Sequence, residues 1–316
     1  DDAAWIRRKM VRFGSHLRVP GVSGPAAKSD TVLSTRPVSG FICGSFMKLR
    51  RDTIGIAWRL GLLWIAGGLA GIAIRAAEPR PNPTAGTNLV AWCIVPFDTV
   101  KRGPEERAAM LERLGITQLA YDWRAEHLPT FDAEVAALTR HKIHLRAWWF
   151  PATLNPEAEA ILACLRRNHL HPELWVMGSD PAGTNTTSKV NAAAESLRPV
   201  VKAAADLGCK VGLYNHGGWF GEPENQLAIR ARLAELGFNN VGLVYNFHHG
   251  HDHLDRFPQL LKTMIPYLYT LNLNGMVPQG DRHGQKILQL GQGELDLSLL
   301  KVIRDSGYKG PIGILG

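Results

Sequence analysis

Beginning near residue 88, the chain alternates short runs rich in β-branched and aromatic residues with longer stretches of helical period. This alternation constrains the fold more than any other feature, because parallel neighbours in a sheet need a crossover between them, usually a helix. The strand runs are NLVAWCIV (88–95), ITQLAYDW (116–123), IHLRAWWF (143–150), ELWVMG (173–178), KVGLYNH (210–216), NVGLVYNF (240–247), YLYTLNLNG (267–275) and PIGIL (311–315). Helices are expected to start at Gly103-Pro104, to cover residues 131–140, to start near Asn155-Pro156, and to follow the polar loop DPAGTNTTS (180–188) as far as residue 207. Further helices are expected over 222–236, 251–264 and 296–306. No glycine-rich dinucleotide turn follows the first strand. Eight βα units in about 230 residues therefore predict an α/β protein, a closed (β/α)8 TIM barrel rather than an open doubly wound sheet. The chain ends at Gly316 directly after the eighth strand, so the barrel is expected to lack its closing helix.

Charge is unevenly distributed. The first 78 residues hold 12 of the 36 Lys and Arg but 5 of the 28 acidic residues, a local balance of +7 that leaves +1 for the rest. The basic character belongs to the leader, and the globular part carries no electrostatic footprint for nucleic acid. Within the leader, Met47 opens a secretory pattern: Lys48, Arg50 and Arg51, the apolar run LGLLWIAGGLAGIAI (60–74), then Ala76 and Ala77. Arg75 stands where a small residue is expected, so a membrane anchor is the competing reading of residues 47–78, although the apolar run is short for a span. Residues 1–46 lack periodicity and are expected to be a disordered or spurious extension. The barrel domain is then 79–316. The protein is expected to be secreted or periplasmic, touching a membrane only through an uncleaved N-terminal segment. Cys93, Cys164 and Cys209 are odd in number and far apart, which predicts buried thiols and no disulfide framework.

The run VGLVYNFHHGHDHLD (241–255) places His248, His249, His251 and His253 directly after a strand. Imidazole is a common metal ligand and a near-neutral acid or base. In barrels the reactive groups come from the carboxyl ends of several strands. Those ends carry Asp98, Asp122, Trp123, Arg124, Arg146, Trp148, Trp149, Asp180, Asn215, His216, Asn246, His248, His249, Asn272 and Asn274. A polar, aromatic mouth of this kind suits carbohydrate: tryptophan faces stack on sugar rings while amides, carboxylates and imidazoles bond the hydroxyls. Strand alternation pairs Arg146 with Trp148 facing inward and sends Trp149 under a helix. Arg146 would hold a carboxylate or phosphate, or pair with Asp122 inside the barrel. His251 and His253 read as solvated first-turn residues.

YNHGG (214–218), VGLVYNFHH (241–249), LNLNG (271–275), LGQGELDLSLL (290–300) and GYKGPIGI (307–314) together resemble the xylose isomerase-like barrels, the sugar phosphate isomerases and epimerases. The resemblance implies a barrel acting on a sugar by proton transfer beside a divalent metal. His216 and His249 match the family's motifs. Asn215, Asn246, Asn272 and Asn274 stand where the family carries metal-binding carboxylates and histidine. Mn²⁺ and Mg²⁺ need anionic oxygen ligands, so the neutral amides point to a departed metal site. The cofactor is then none, or a divalent ion such as Zn or Mn on His216, His248 and His249. Without a metal, His216 or His249 would be the general base, with Asp122 or Asp180 as its partner. The alternative is a non-catalytic barrel that binds a saccharide.

Overall fold

The computed structural model describes residues 88–315. Eight parallel strands close into one barrel in chain order: β1 (Leu89–Ala91), β2 (Gln118–Tyr121), β3 (His144–Phe150), β4 (Glu173–Val176), β5 (Lys210–Tyr214), β6 (Val241–Asn246), β7 (Leu268–Leu273) and β8 (Ile312–Ile314). β8 closes on β1, with Leu89 opposite Ile312 and Ala91 opposite Ile314. Residues 1–46 and 47–78, read as an extension and as a signal or anchor, lie outside the described residues. Among the described residues no helix is long and apolar enough to cross a membrane.

Seven helices cover the barrel: α1 (Pro104–Leu114), α2 (Phe131–Arg140), α3 (Pro156–Arg167), α4 (Thr186–Asp206), α5 (Pro223–Glu235), α6 (Phe257–Met264) and α7 (Asp296–Asp305). Their starts follow local chemistry. Pro104 opens α1 with Glu105 and Glu106 in the first turn, where acidic side chains face the positive end of the helix dipole. Asn155 caps α3 by accepting the Ala158 N–H, and Asn185 caps α4 by accepting that of Ser188. The expected helix over 251–264 is split instead into a short 3₁₀ stretch, His251–Arg256, followed by α6.

The strands are shorter than their apolar runs. β1 stops at Ala91, and Cys93 turns the chain in the left-handed region at φ 52° into a single helical turn, Ile94–Phe97. β3 contains an irregularity that decides what reaches the interior. Leu119 pairs with Leu145 but Ala120 pairs with Ala147, so Arg146 is an extra residue in the strand. Beyond it the facing reverses: Trp148 and Phe150 pack beneath the helices, while Ala147 and Trp149 join the barrel interior. This corrects the simple alternation that put Trp148 inside and Trp149 outside.

Candidate active site

The mouth is built on an aromatic floor. Trp92, Trp175 and Tyr214 are buried, with Trp149 half-buried beside them. Trp92 and Trp149 lie parallel with ring centroids 6.1 Å apart, and Trp149 meets Trp175 edge-on at 4.8 Å and Tyr214 at 5.5 Å. Gly313 makes room for this floor, since a Cβ there would stand 2.0 Å from Asn272 Oδ1 and 2.7 Å from the Trp92 ring. Trp92, Trp175 and Tyr214 were not among the residues picked from the sequence. Each stands two positions after another residue of the barrel interior or the sheet (Val90, Glu173, Gly212), a period-2 signal that was available.

Above the floor, three amides on successive strands bond one another. Asn215, just past β5, accepts at Oδ1 from the backbone N–H of Asn246 (2.7 Å) and from its Nδ2 (2.8 Å). Its own Nδ2 donates to the Asn246 carbonyl at 3.2 Å. Asn272 on β7 donates in turn to Asn246 Oδ1 at 2.6 Å. All three are 0 % exposed, and Asn272 Oδ1 keeps no partner. Asn274 does not join this ladder; its Nδ2 bonds the carbonyls of Gly275 and Lys286.

His216, His248 and His249 do converge. β6 ends at Asn246, and a 3₁₀ turn, Phe247–His249, carries the two adjacent histidines over the floor. The His248 and His249 ring centroids are 3.8 Å apart, His216 and His249 4.3 Å, and Trp92 and His248 5.5 Å. Burial pulls His248 down to about 3, helped by the charges of Lys286, His216 and His251. Burial likewise pulls His249 down to about 2, with His248, His216 and Lys286 adding to it. His216 is lowered by desolvation and by Lys286. All three are therefore neutral imidazoles at ordinary pH, able to donate and accept hydrogen bonds but weak as bases.

Asp122 is the group poised near neutrality. It follows β2, is 2 % exposed, and accepts the Val95 N–H at Oδ1, which the turn at Cys93 brings to it. Its Oδ2 has no partner. Burial raises its carboxyl to about 7 against the opposing charge of Arg124. The pKa of the half-buried Cys93 thiol is pushed well above the ordinary thiol value, first by burial and then by the charge of Asp122. Tyr214 feels the charges of both.

The remaining sequence candidates lie elsewhere. Asp180 is exposed and accepts the Phe220 N–H at 2.9 Å, capping the turn Gly218–Gly221; those backbone donors hold its carboxyl low. It lines a side cleft with Ser179, Ser196 and Phe220. Arg146 pairs with Glu173 at 2.9 Å, not with Asp122; Glu173 also accepts from Trp175 and Thr270 in the barrel interior. Trp148 is 0 % exposed and stands edge-on to Phe131 at 4.9 Å, outside the barrel. His251 and His253 are buried rather than solvated. His253 bridges Tyr245 Oη (3.1 Å) and Glu222 (3.3 Å), and His251 Nε2 meets the Lys286 carbonyl at 3.0 Å.

The donor set does not fit a hard divalent cation. The Oδ1 atoms of Asn215 and Asn246 are already spent on neighbouring amides. Among the described residues no group of three or more His, Cys, Asp or Glu is arranged to hold a metal ion. The rings of His216, His248 and His249 lie against one another, His249 between the other two.

Comparison with known proteins agrees with this architecture. A family model described as xylose isomerase-like TIM barrel matches residues 95–314. No curated protein matches by sequence. Among solved structures, the 3-keto-D-glucoside 4-epimerase YcjR from E. coli superposes with a TM-score of 0.56 at 15 % identity, covering 73 % of this chain and 92 % of that one. A D-psicose 3-epimerase crystallised in the presence of D-fructose gives 0.52 at 13 % identity, over 72 % and 84 %. The IOLI protein with a binding zinc atom gives 0.56 at 15 % identity, over 72 % and 88 %. At these identities the likeness is one of fold.

Proposed function

We infer function from a premise of membership: this chain belongs to the xylose isomerase-like TIM barrel family. On that premise the mouth takes a small carbohydrate and moves a proton on it with the chain's own groups. Asp122 carries the proton. A carboxyl poised near 7 is present in both forms at neutral pH, which suits a group that removes a proton next to a carbonyl and returns it. His216 and His249, neutral and adjacent, hold sugar oxygens, and Trp149 offers a ring face. The unpartnered Oδ2 of Asp122, buried beside Cys93 and Tyr214, is the observation that carries this reading. The sugar epimerases among its structural neighbours support the substrate class.

Solvent exchange tests it. Aldoses and ketoses incubated with the protein in D₂O are followed by NMR for loss of the proton beside the carbonyl and for new isomers. Wild-type protein is expected to exchange, and Asp122→Asn to lose exchange at least 100-fold while still binding sugar.

A second reading is a barrel that binds a saccharide without turning it over. It is favoured by the amide ladder, whose polar groups are largely spent on one another. Binding by wild-type protein with no exchange on any sugar would select it. The proposal includes export or tethering through residues 47–78, which rests on the sequence pattern alone; N-terminal sequencing of the mature protein checks it.

A further inference from the structure

The eight strands are parallel, so they all start at one end of the barrel, opposite the mouth, and the helices between them end there. Charge at that end is one-sided. Arg113, Arg166 and Lys262 stand in the last turns of α1, α3 and α6. Lys142 and Lys309 lie in the turns that follow α2 and α7, and Lys210 opens β5. All six are exposed, and among the described residues none of them meets a carboxylate. The carboxylates of the same helix ends are engaged: Glu112 with His141 (2.7 Å), Asp206 with Lys202 (2.7 Å), Glu235 with Arg232 (2.8 Å) and Asp305 with Arg304 (3.0 Å). Two tyrosines add ring faces, with Lys210 over Tyr269 at 5.2 Å and Arg230 over the exposed Tyr267 at 3.9 Å.

Helix dipoles favour cations in a last turn, which accounts for Arg113, Arg166 and Lys262. The effect fades beyond that turn and leaves Lys142, Lys210 and Lys309 unexplained. At the mouth end the exposed Glu126, Glu159, Asp281 and Glu294 have no cationic partner among the described residues. The near-balanced charge of residues 79–316 is therefore the sum of two unlike ends. The basic end is also where the chain enters the barrel, since Asn88 Nδ2 donates to the Lys309 carbonyl at 3.4 Å. Only residues 75–87 separate Asn88 from the apolar run 60–74, a stretch that spans at most about 45 Å. A membrane that holds this run is joined to the basic end of the barrel.

We propose that the end of the barrel opposite the mouth docks on an anionic lipid surface, which turns the mouth away from the membrane. The proposal rests on the tethering reading above for the nearness of a membrane. Each cation held close to anionic headgroups adds affinity, and a tether raises the local concentration of the face that carries them. Tyr267 and Arg230 are a ring and a cation of the kind that suits a headgroup layer. Docked in this way, the site stays open to sugars in solution, and Lys142, Lys210 and Lys309, which have no part in the proton transfer, set its orientation.

Lysine labelling on vesicles tests the inference. The full chain is reconstituted into vesicles of phosphatidylcholine alone, or of phosphatidylcholine and phosphatidylglycerol in equal parts, and a further sample is mixed with duplex DNA. Each is treated with a water-soluble acylating reagent, and the labelled lysines are located by mass spectrometry. Lys142, Lys210, Lys262 and Lys309 are expected to react about fivefold more slowly on the anionic vesicles, with the difference lost in high salt. Lys101 and Lys189, at the mouth end, are expected to react equally on both. The double variant Lys142→Gln/Lys309→Gln, with thermal unfolding like that of wild type, is expected to lose most of the protection at Lys210 and Lys262, and Lys101→Gln to keep it. Equal labelling on both vesicles overturns the proposal and leaves the tethering reading intact. Protection of Lys101 and Lys189 instead puts the mouth on the membrane and overturns it. Protection of the basic end by DNA but not by anionic vesicles assigns that face to nucleic acid and overturns it. Protein that stays in solution with both vesicles overturns the tethering reading and the proposal with it.

Discussion

The Nδ2 of Asn272 donates to the Oδ1 of Asn246 at 2.6 Å, from positions paired directly across β7 and β6. Asn246 is in turn the partner of Asn215, so one side chain ties three strands together at the mouth. A ladder of this kind holds strand ends in register as well as presenting polar atoms.

Asn246→Ala is therefore expected to cost about 1–3 kcal/mol, because it strands the Nδ2 of Asn272 in a dry environment and leaves Asn215 Oδ1 with the backbone N–H alone. Urea unfolding midpoints measure it. Asn246→Asp should also destabilise, since an anion replaces an amide that both donates and accepts.

Arg146 and Glu173 form the ion pair beneath the aromatic floor. Arg146→Met should destabilise by roughly 2–3 kcal/mol, less than a fully buried pair because Arg146 is half-buried. Adding Glu173→Gln should recover part of the loss, as the uncompensated carboxylate is removed. The double-mutant cycle by chemical denaturation checks the coupling.

Acidification sets two effects against each other. Asp122, raised to about 7 chiefly by burial, holds its proton in the folded state to higher pH than in the unfolded chain. Its contribution is full below about pH 4 and is lost as pH rises towards 7. His248 and His249, depressed to about 3 and about 2 chiefly by burial, contribute above about pH 6.5 and lose that contribution as pH falls. Two groups outweigh one, so stability is expected to fall between pH 6.5 and pH 4. Urea midpoints across this window should show the fall reversed in the double variant His248→Gln/His249→Gln, where Asp122 alone of the three remains, and a steeper fall in Asp122→Asn.

Trp149 is the accessible ring of the aromatic floor. Trp149→Ala is expected to weaken saccharide binding about tenfold through loss of the stacking face. Trp148→Ala should instead destabilise the fold by about 3–5 kcal/mol, since it leaves a cavity between β3 and α2. Calorimetric titration and thermal unfolding, run on both variants, separate the two roles; a binding defect confined to Trp148→Ala would reverse the assignment.

The sequence by itself determined the barrel. Its alternating runs located every strand, and α2 was read to the residue, because periodicity and flanking Pro, Asn and Gly residues are local signals. It also brought His216, His248, His249, Asn215, Asn246, Asn272 and Asp122 to one end, since strand order alone puts strand termini together. Tertiary structure decided what those residues do there. One extra residue at Arg146 reversed the facing of Trp148 and Trp149, and a bulge depends on pairing with β2 that no single strand encodes. Burial by the surrounding rings, a property of the closed barrel, made the histidines weak bases and Asp122 the group poised near neutrality. His251, read from the sequence as a solvated first-turn residue, is buried and meets the Lys286 carbonyl from 35 residues away, a contact that only the closed barrel brings about.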